Sequence, residues 1–313
     1  MVFFPWYPFA IERRKGEPTM SRTTLMLSSV AALLLVFAVP LFAAEQTLKP
    51  YILGSGGPGT IEARLPGVKT ALEQKGFQSA GEYAPYKGVH ILVITSDALK
   101  AAAAKSTFGA YGSVIRVALV ETGKELQVSA TNPRYFAAAY RMNDPLEDVA
   151  VGLEQAIGKT VEFGAKEGMT PAKLRKYHYM VMMPYFDEPV ELAVYPSHDE
   201  ALSMVEANLT VKKGGCAKVY RVDIPGKKET VFGVAITEGE GADGAIMKII
   251  DIADPKHAAH LPYELLVSDG TVYMLHGKFR IALDFPDLTM GTFMKISGAP
   301  SAIEDKLRAV ASK

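Results

Sequence analysis

Residues 73–95, EQKGFQSAGEYAPYKGVHILVIT, and residues 212–237, KKGGCAKVYRVDIPGKKETVFGVAIT, follow one pattern. Each stretch has a lysine and a glycine near its start (Lys75-Gly76 and Lys213-Gly214), then a tyrosine, then a turn of lysine and glycine. Each ends in an apolar run that closes with Ile-Thr. The copies lie about 140 residues apart, a period that indicates a duplicated domain rather than a solenoid.

The elements around both copies are predicted to follow the same order. A helix precedes each copy, an alanine- and isoleucine-rich helix follows it, a hairpin comes next, and a last helix closes each half. Helices with antiparallel hairpins predict an α+β protein of two tandem, similar two-layer domains, each an antiparallel-rich sheet with helices on one face. The predicted helices are Ile61–Lys75, Asp97–Lys105 and Leu146–Ile157 in the first half, and His198–Lys212, Ala242–Ile252 and Ala302–Ala311 in the second.

The repeat predicts where the chain divides. The glycine-rich stretch Gly54–Thr60 lacks the Gly-Lys-Ser/Thr ending of a phosphate-binding P-loop, so we expect a lead-in loop with Thr60 as the N-cap of the next helix. The predicted segments are residues 1–44 as a leader, 45–160 as the first α+β domain, 161–185 as the linker and first strand region, and 186–313 as the second α+β domain.

The leader resembles a secretory signal. No charged residue occurs from Thr23 to Ala44, and four basic residues precede this apolar run. The order predicts a cleaved signal peptide or a retained membrane anchor, with membrane contact only through residues 23–44. The rest of the chain is expected to be exported, either free in the periplasm or anchored to the inner membrane and facing the periplasm.

Composition and motifs exclude several classes of function. The 34 basic residues balance the 34 acidic ones, which argues against nucleic acid as a partner. The only cysteine, Cys216, can form no disulfide within the chain and is expected to be a small buried residue. The sequence contains no nucleophile elbow, His-Glu-x-x-His helix or Cys-x-x-Cys-His haem motif, so we assign no catalytic residue.

The first hairpin is predicted to have one covered face and one solvated face. A two-residue turn at Thr122-Gly123 would place Leu119 opposite Leu126 on the covered face. The opposite face carries polar side chains, among them Arg116 and Gln127, and is expected to contact water.

The second hairpin is predicted to be apolar on both faces. Its Asp269-Gly270 turn would pair Leu266 with Tyr273 on one face and Tyr263 with His276 on the other. An apolar outer face needs a cover, which we expect to be the first domain or a second copy of the chain.

These segments resemble the bacterial family called domain of unknown function 302. The resemblance lies in ALEQKGF (71–77), RVALVETGKELQVSATNP (116–133) and HLPYELLVSDGTVYML (260–275), and it covers most of residues 50–160 and, more loosely, 187–312. It implies small α/β units that often pair, so that a tandem chain could hold both halves of a pair. It implies no reaction and no catalytic residues.

Three histidines form the first candidate metal site. His257 and His260 are three residues apart and could share a helical face, and His276 would lie opposite Tyr263 in the predicted hairpin. Three neighbouring imidazoles could bind Zn²⁺, Cu²⁺ or a haem iron. The alternative is a surface histidine pair with His276 half-buried and hydrogen-bonded.

A row of soft ligands forms the second candidate. If YHYMVMMPYF (177–186) is a strand, His178, Met180 and Met182 share one face and could bind Cu(I). Methionine is also a common core residue, and this run could begin the first strand of the second domain. The segment FPDLTMGTFMKI (285–296) could line a ligand pocket, with core packing as the alternative.

The sequence therefore predicts a binding or interaction protein. The partner would be a small ligand in the cleft between the two domains, an envelope protein, or a second copy of the chain as a homodimer. The alternative is a periplasmic metal- or haem-dependent redox accessory protein or enzyme that uses the histidines of the second domain. No cofactor is required by the first hypothesis.

Overall fold

The computed structural model describes residues 46–180 and 183–313, together with Met1, Phe3 and Pro5 as isolated positions. Gln46–Lys313 form one compact unit. Of the predicted leader, residues 1–44, the apolar part at 23–44 that was expected to contact the membrane lies outside the described residues. Within the described part of the chain, no helix has both the length and the apolar character needed to cross a bilayer.

Two antiparallel sheets, one from each half of the sequence, organise this unit. The strands are β1 (Tyr51–Leu53), β2 (Gly57–Pro58), β3 (Gln78–Tyr83), β4 (Val89–Thr95), β5 (Ile115–Thr122), β6 (Glu125–Thr131), β7 (Val161–Phe163), β8 (Val190–Val194), β9 (Cys216–Asp223), β10 (Glu229–Ile236), β11 (Tyr263–Ser268) and β12 (Thr271–Met274). The first sheet has the order β3-β4-β5-β6-β1-β7, with β2 beside β6, and the second has the order β9-β10-β11-β12-β8. In these orders, the strands β9, β10, β11, β12 and β8 of the second sheet take the same places as β3, β4, β5, β6 and β1 of the first sheet. The division into two domains stays a prediction, because the compact unit spans both halves.

The six predicted helices lie close to their predicted positions, the described residues form four further helices that were not predicted, and the α+β class is confirmed. Side-chain caps fix two of the helix starts: Thr60 Oγ1 accepts a hydrogen bond from the Ala63 amide at 3.4 Å, and Ser197 Oγ accepts one from the Glu200 amide at 3.2 Å. The helices are α1 (Ile61–Glu73), α2 (Asp97–Ala104), α3 (Pro133–Ala139), α4 (Glu147–Ile157), α5 (Pro171–Leu174), α6 (His198–Thr210), α7 (Asp243–Ile250), α8 (Gly277–Asp284), α9 (Met290–Met294) and α10 (Ala299–Ala311).

The two sheets meet face to face in a common core. Buried side chains of the second sheet, such as Val231 and Leu266, belong to the same apolar cluster as Val117 and Ala118 of the first sheet. The other face of the second sheet packs against α6, α7 and α10 in a separate cluster. The cover predicted for the second hairpin is therefore the first half of the chain.

The face of the first hairpin that was predicted to be solvated is buried, so that prediction is wrong. Arg116 is 3% exposed and Gln127 is 8% exposed. The Gln127 side chain donates to the Lys256 carbonyl and accepts from the Lys256 amide, both at 2.7 Å. The Gln127 side chain is thus hydrogen-bonded by the second half of the chain rather than by water.

The register of the first hairpin differs from the prediction by two residues. Thr122 pairs with Glu125, so the turn is Gly123-Lys124 and Leu119 lies opposite Val128. In the second hairpin the pairing of Leu266 with Tyr273 is confirmed.

The pairing of Tyr263 with His276 does not form. β12 ends at Met274, and His276 caps the start of α8 instead. Its Nδ1 accepts a hydrogen bond from the Lys278 amide at 3.2 Å.

The edge strands β3 and β9 lie against each other. Gly81 in β3 approaches the backbone of β9 so closely that a Cβ atom there would lie 2.1 Å from the Val219 carbonyl oxygen. Both strands are bulged at this point. The pairing of β3 with β4 shifts register between Ser79 and Gly81, and the pairing of β9 with β10 shifts register between Lys218 and Tyr220. Only glycine fits at residue 81 in this arrangement.

Candidate functional site

An apolar pocket of about 200 Å³ lies between α8, α9 and the connecting segment, the stretch at residues 161–185 that joins the two halves. We call it the Met-rich pocket. Its walls comprise Met180 and Met183 from the connecting segment, Ile281 and Phe285 from α8 and the residue after it, and Met290 and Phe293 from α9. Met180 and Met290 are each 47% exposed, so the pocket opens to solvent.

Hydrogen bonds hold the connecting segment over α8. The Tyr177 hydroxyl donates to the Ala282 carbonyl at 2.9 Å, and the Tyr177 ring packs edge-on against Phe279. His178 Nδ1 lies 2.9 Å from the Met180 carbonyl oxygen. These contacts fix the backbone that leads to Met180.

The helix α9 is fixed at its start by Thr289. The Thr289 hydroxyl accepts a hydrogen bond from the Thr292 amide at 3.2 Å. Leu288 also lines the pocket, and a turn positions it, because the Leu288 amide donates to the Phe285 carbonyl. The segment 285–296, which the sequence predicted as a possible pocket wall, does line the pocket.

One cation and no carboxylate line the described part of the pocket. Lys278 is half-buried at the start of α8, and its ammonium has no salt bridge to any residue that the structure describes. Two acidic residues follow it in sequence, but both face other partners. Asp284 pairs with Arg280 at 3.1 Å, and Asp287 accepts a hydrogen bond from the Lys166 amide at 2.6 Å.

A buried ionic network lies between the two sheets. We define it as Arg116, Glu264, Arg280, Asp284 and His260, all at most 4% exposed. Arg116 Nη1 lies 2.5 Å from Glu264 Oε1, and Arg280 Nη2 lies 3.3 Å from Glu264 Oε2. The two guanidinium groups thus share Glu264, and Asp284 balances the second positive charge, as buried charges require.

Three members of this region form a hydrogen-bonded chain. Asp284 Oδ2 lies 2.6 Å from His260 Nδ1, and His260 Nε2 lies 3.0 Å from the Tyr263 hydroxyl. Burial lowers the pKa of His260, so the neutral ring donates a hydrogen bond from Nδ1 to Asp284 and accepts one at Nε2 from the Tyr263 hydroxyl. Burial would raise the pKa of Asp284, but the Arg280 guanidinium and His260 hold it below its usual value.

The chain has the order of a catalytic triad but not its access. His260 and Asp284 are fully buried, and Tyr263 is 2% exposed. Burial also raises the pKa of Tyr263, which opposes its use as a nucleophile. The cavity beside Arg116 and Tyr140 has a volume of about 10 Å³, room for about one water molecule. We therefore assign the network a structural role.

The three candidate histidines of the second domain do not converge on a metal site. Both ring nitrogens of His260 already have partners, His257 stacks on Phe285 with ring centroids 4.9 Å apart, and His276 caps α8. Among the described residues, no group of three His, Cys, Asp or Glu side chains is placed to hold a metal. The geometry therefore does not support zinc, copper or haem at His257, His260 and His276.

The second candidate set is only partly described. Met182 lies outside the described residues, so the predicted shared face of His178, Met180 and Met182 stays a prediction; the described residues from 177 to 186 form no strand. Met180 lines the Met-rich pocket, while His178 packs on the Tyr185 ring at 4.6 Å. Cys216 is buried, and burial raises its pKa to about 11, as expected of an inert core thiol.

The space between the two halves is filled rather than open. The apolar cluster and the ionic network occupy the contact between the sheets, so a ligand cleft predicted there is replaced by core packing. No local pattern in the sequence predicts the network, because its members come from β5, β11, α8 and a short helical turn, Ala258–His260.

No family model, curated protein or solved structure matches this chain. The resemblance to the domain of unknown function 302 family rests on the quoted motifs and stays a prediction. Function is therefore argued from the geometry of the site alone.

Proposed function

We propose that this chain is an exported binding protein that holds a small apolar molecule in the Met-rich pocket. The observation that carries the proposal is an open pocket whose walls are built almost entirely from thioether, aromatic and aliphatic side chains. Exposure of such a surface to water costs free energy, and a fitting apolar molecule removes the surface from water.

The volume of the pocket defines the size of its ligand. An apolar cavity of about 150 Å³ accommodates benzene, so about 200 Å³ suits a single ring with a short substituent or a medium alkyl chain. Methionine side chains are flexible and adapt to the shape of what they contact. With Met180, Met183 and Met290 in its walls, the pocket is suited to a class of related molecules rather than to one rigid shape.

Export is supported by the leader pattern, and it agrees with a role in capturing molecules outside the cytoplasm. An envelope partner protein or a homodimer contact at this surface would use the same apolar walls. A small ligand is favoured because the walls enclose a concave space instead of a flat face.

The test is calorimetric titration of the full chain with octanamide, an uncharged molecule of suitable size. We expect a dissociation constant of about 0.1–1 mM, as ligand efficiency predicts for so small a molecule, and a negative heat-capacity change from burial of apolar surface. The variant Ala282→Phe places a ring in the pocket and should weaken binding at least about tenfold.

Two further variants make the result specific. Ala101→Phe adds the same ring to an exposed position of α2, outside the pocket, and should leave octanamide binding unchanged. Met290→Trp obstructs the pocket from a half-exposed position, and it replaces Ala282→Phe as the blocking variant if Ala282→Phe does not fold. Binding that is absent in the wild type, or equal in all variants, would overturn the proposal.

A further inference from the structure

We propose that the Met-rich pocket selects an amphipathic anion, a molecule with an apolar body and one carboxylate group, and that the Lys278 ammonium recognises the carboxylate. This inference rests on the proposed function and adds the chemical class of the ligand. It follows from the charges around the pocket rather than from its apolar walls.

Lys278 provides the only charge among the described residues that line the pocket. It lies one turn before Ile281 and Ala282 on α8, so its side chain begins on the helix face that forms the wall. The lining supplies one further polar group, the phenol of Tyr179, which can donate a hydrogen bond. Both groups can donate a hydrogen bond to a carboxylate, and neither carries a negative charge that would pair with a cationic ligand.

The carboxylates that follow Lys278 on and just after α8 have other partners. Asp284 belongs to the ionic network, and Asp287 accepts the hydrogen bond of the Lys166 amide. Glu304, which faces His276 from α10, pairs with Arg308 at 2.7 Å. The Lys278 charge is therefore not neutralised by a carboxylate in the described part of the chain, and a ligand carboxylate would supply the missing charge.

The same geometry rejects other ligand classes. A cation would meet Lys278 with no carboxylate to oppose it, and like charges at short range disfavour binding. A phospholipid with two acyl chains exceeds a pocket of about 200 Å³. A medium-chain fatty acid or a small aromatic carboxylate fits both the volume and the charge. These two sources share one chemistry, and octanoate and 4-propylbenzoate distinguish them.

The experiment compares three eight-carbon probes that differ only in charge: octanoate, octanamide and octylammonium. Each is titrated calorimetrically into the full chain at neutral pH. A charge-assisted hydrogen bond predicts that octanoate binds about tenfold more tightly than octanamide, with octylammonium weakest. A stronger signal with 4-propylbenzoate than with octanoate identifies the aromatic carboxylate as the better ligand and equally supports the inference.

Charge variants of Lys278 give the decisive comparison. Lys278→Gln should make octanoate and octanamide bind equally, and Lys278→Glu should reverse the order so that octylammonium binds best. Lys124→Gln removes a lysine from an exposed turn far from the pocket lining and should preserve the wild-type order. Lys124→Gln and Lys278→Gln change the net charge equally, so a difference between them comes from the contact that Lys278 makes with the ligand.

The two proposals fail in different ways. If octanamide binds and Ala282→Phe abolishes its binding, but octanoate gains nothing from its charge, only the anion inference is overturned. A preference for octanoate that persists in Lys278→Gln also overturns it. If octanamide does not bind to the wild type, or binds equally to all pocket variants, the proposed function itself is refuted.

Discussion

Replacing Glu264 with glutamine removes one negative charge from the ionic network and leaves the size of the side chain unchanged. Glu264 contacts Arg116 at 2.5 Å and Arg280 at 3.3 Å, and all three side chains are at most 4% exposed. After the change, two buried guanidinium groups face a single carboxylate, Asp284. An unpaired charge cannot be solvated there, because the surrounding core admits about one water molecule.

The expected loss in free energy of unfolding is about 3–5 kcal/mol, the cost of removing one partner from a buried ion pair. That is a large part of the 5–15 kcal/mol typical of a folded domain. The matched control is Glu206→Gln, which breaks the exposed pair with Lys218 and should cost less than about 1 kcal/mol. Urea denaturation of the full chain, followed by circular dichroism, measures both values.

A double variant tests whether the cost comes from the unpaired charge. Arg116→Met with Glu264→Leu removes both partners, while Arg280 keeps Asp284, the Tyr140 hydroxyl and two backbone carbonyls. Since replacement of a buried pair by apolar residues is often neutral, the double variant should lie within about 2 kcal/mol of the wild type. Additive losses of the two single changes, or a Glu264→Gln cost as small as that of Glu206→Gln, would refute the reasoning.

Two further predictions concern stability. Burial raises the pKa of Asp243 to about 7 from a usual value of 3.8. Between these two values the folded protein retains a proton that the unfolded chain releases. The free energy of unfolding should therefore fall by up to about 4 kcal/mol as the pH rises from 4 to 7, and then level off. Asp243→Asn should therefore gain stability relative to the wild type across this range, and a difference that is constant with pH would contradict the assignment. Gly233→Ala should lower the free energy of unfolding by about 3 kcal/mol or more, because the new Cβ would lie 2.0 Å from the buried Tyr220 ring. Gly67→Ala in α1, where no atom lies within 4 Å of the new Cβ, should raise it by about 0.5–1 kcal/mol. Thermal melts of both variants check the contrast.

Local signals predicted most of the secondary structure. Helix starts at Thr60 and Ser197 have side-chain caps, and the Asp269-Gly270 turn determines the register of the second hairpin. The first hairpin shows the limit of such signals. Gly123 has a positive φ of 70°, which identifies a turn residue but does not say which of the two turn positions it occupies.

Long-range contacts could not be predicted in the same way. Arg116 looks like a surface residue by alternation, and its burial makes sense only with Glu264, which lies 148 residues away in sequence. The pocket has the same origin. Segments 177–186 and 285–296 each contain methionines and aromatic residues, but only the fold determines that they face each other and leave a space.

The close approach of β3 and β9 at Gly81 bears on how this chain avoids aggregation. Unpaired strand edges are templates for intermolecular strand addition, and two edges of the two sheets are here occupied by each other. Of the remaining edges, β7 has only three residues, and β8 lies between Pro189 and Pro196, which cannot donate backbone hydrogen bonds. Few edges on which another chain could pair are therefore left among the residues that the structure describes.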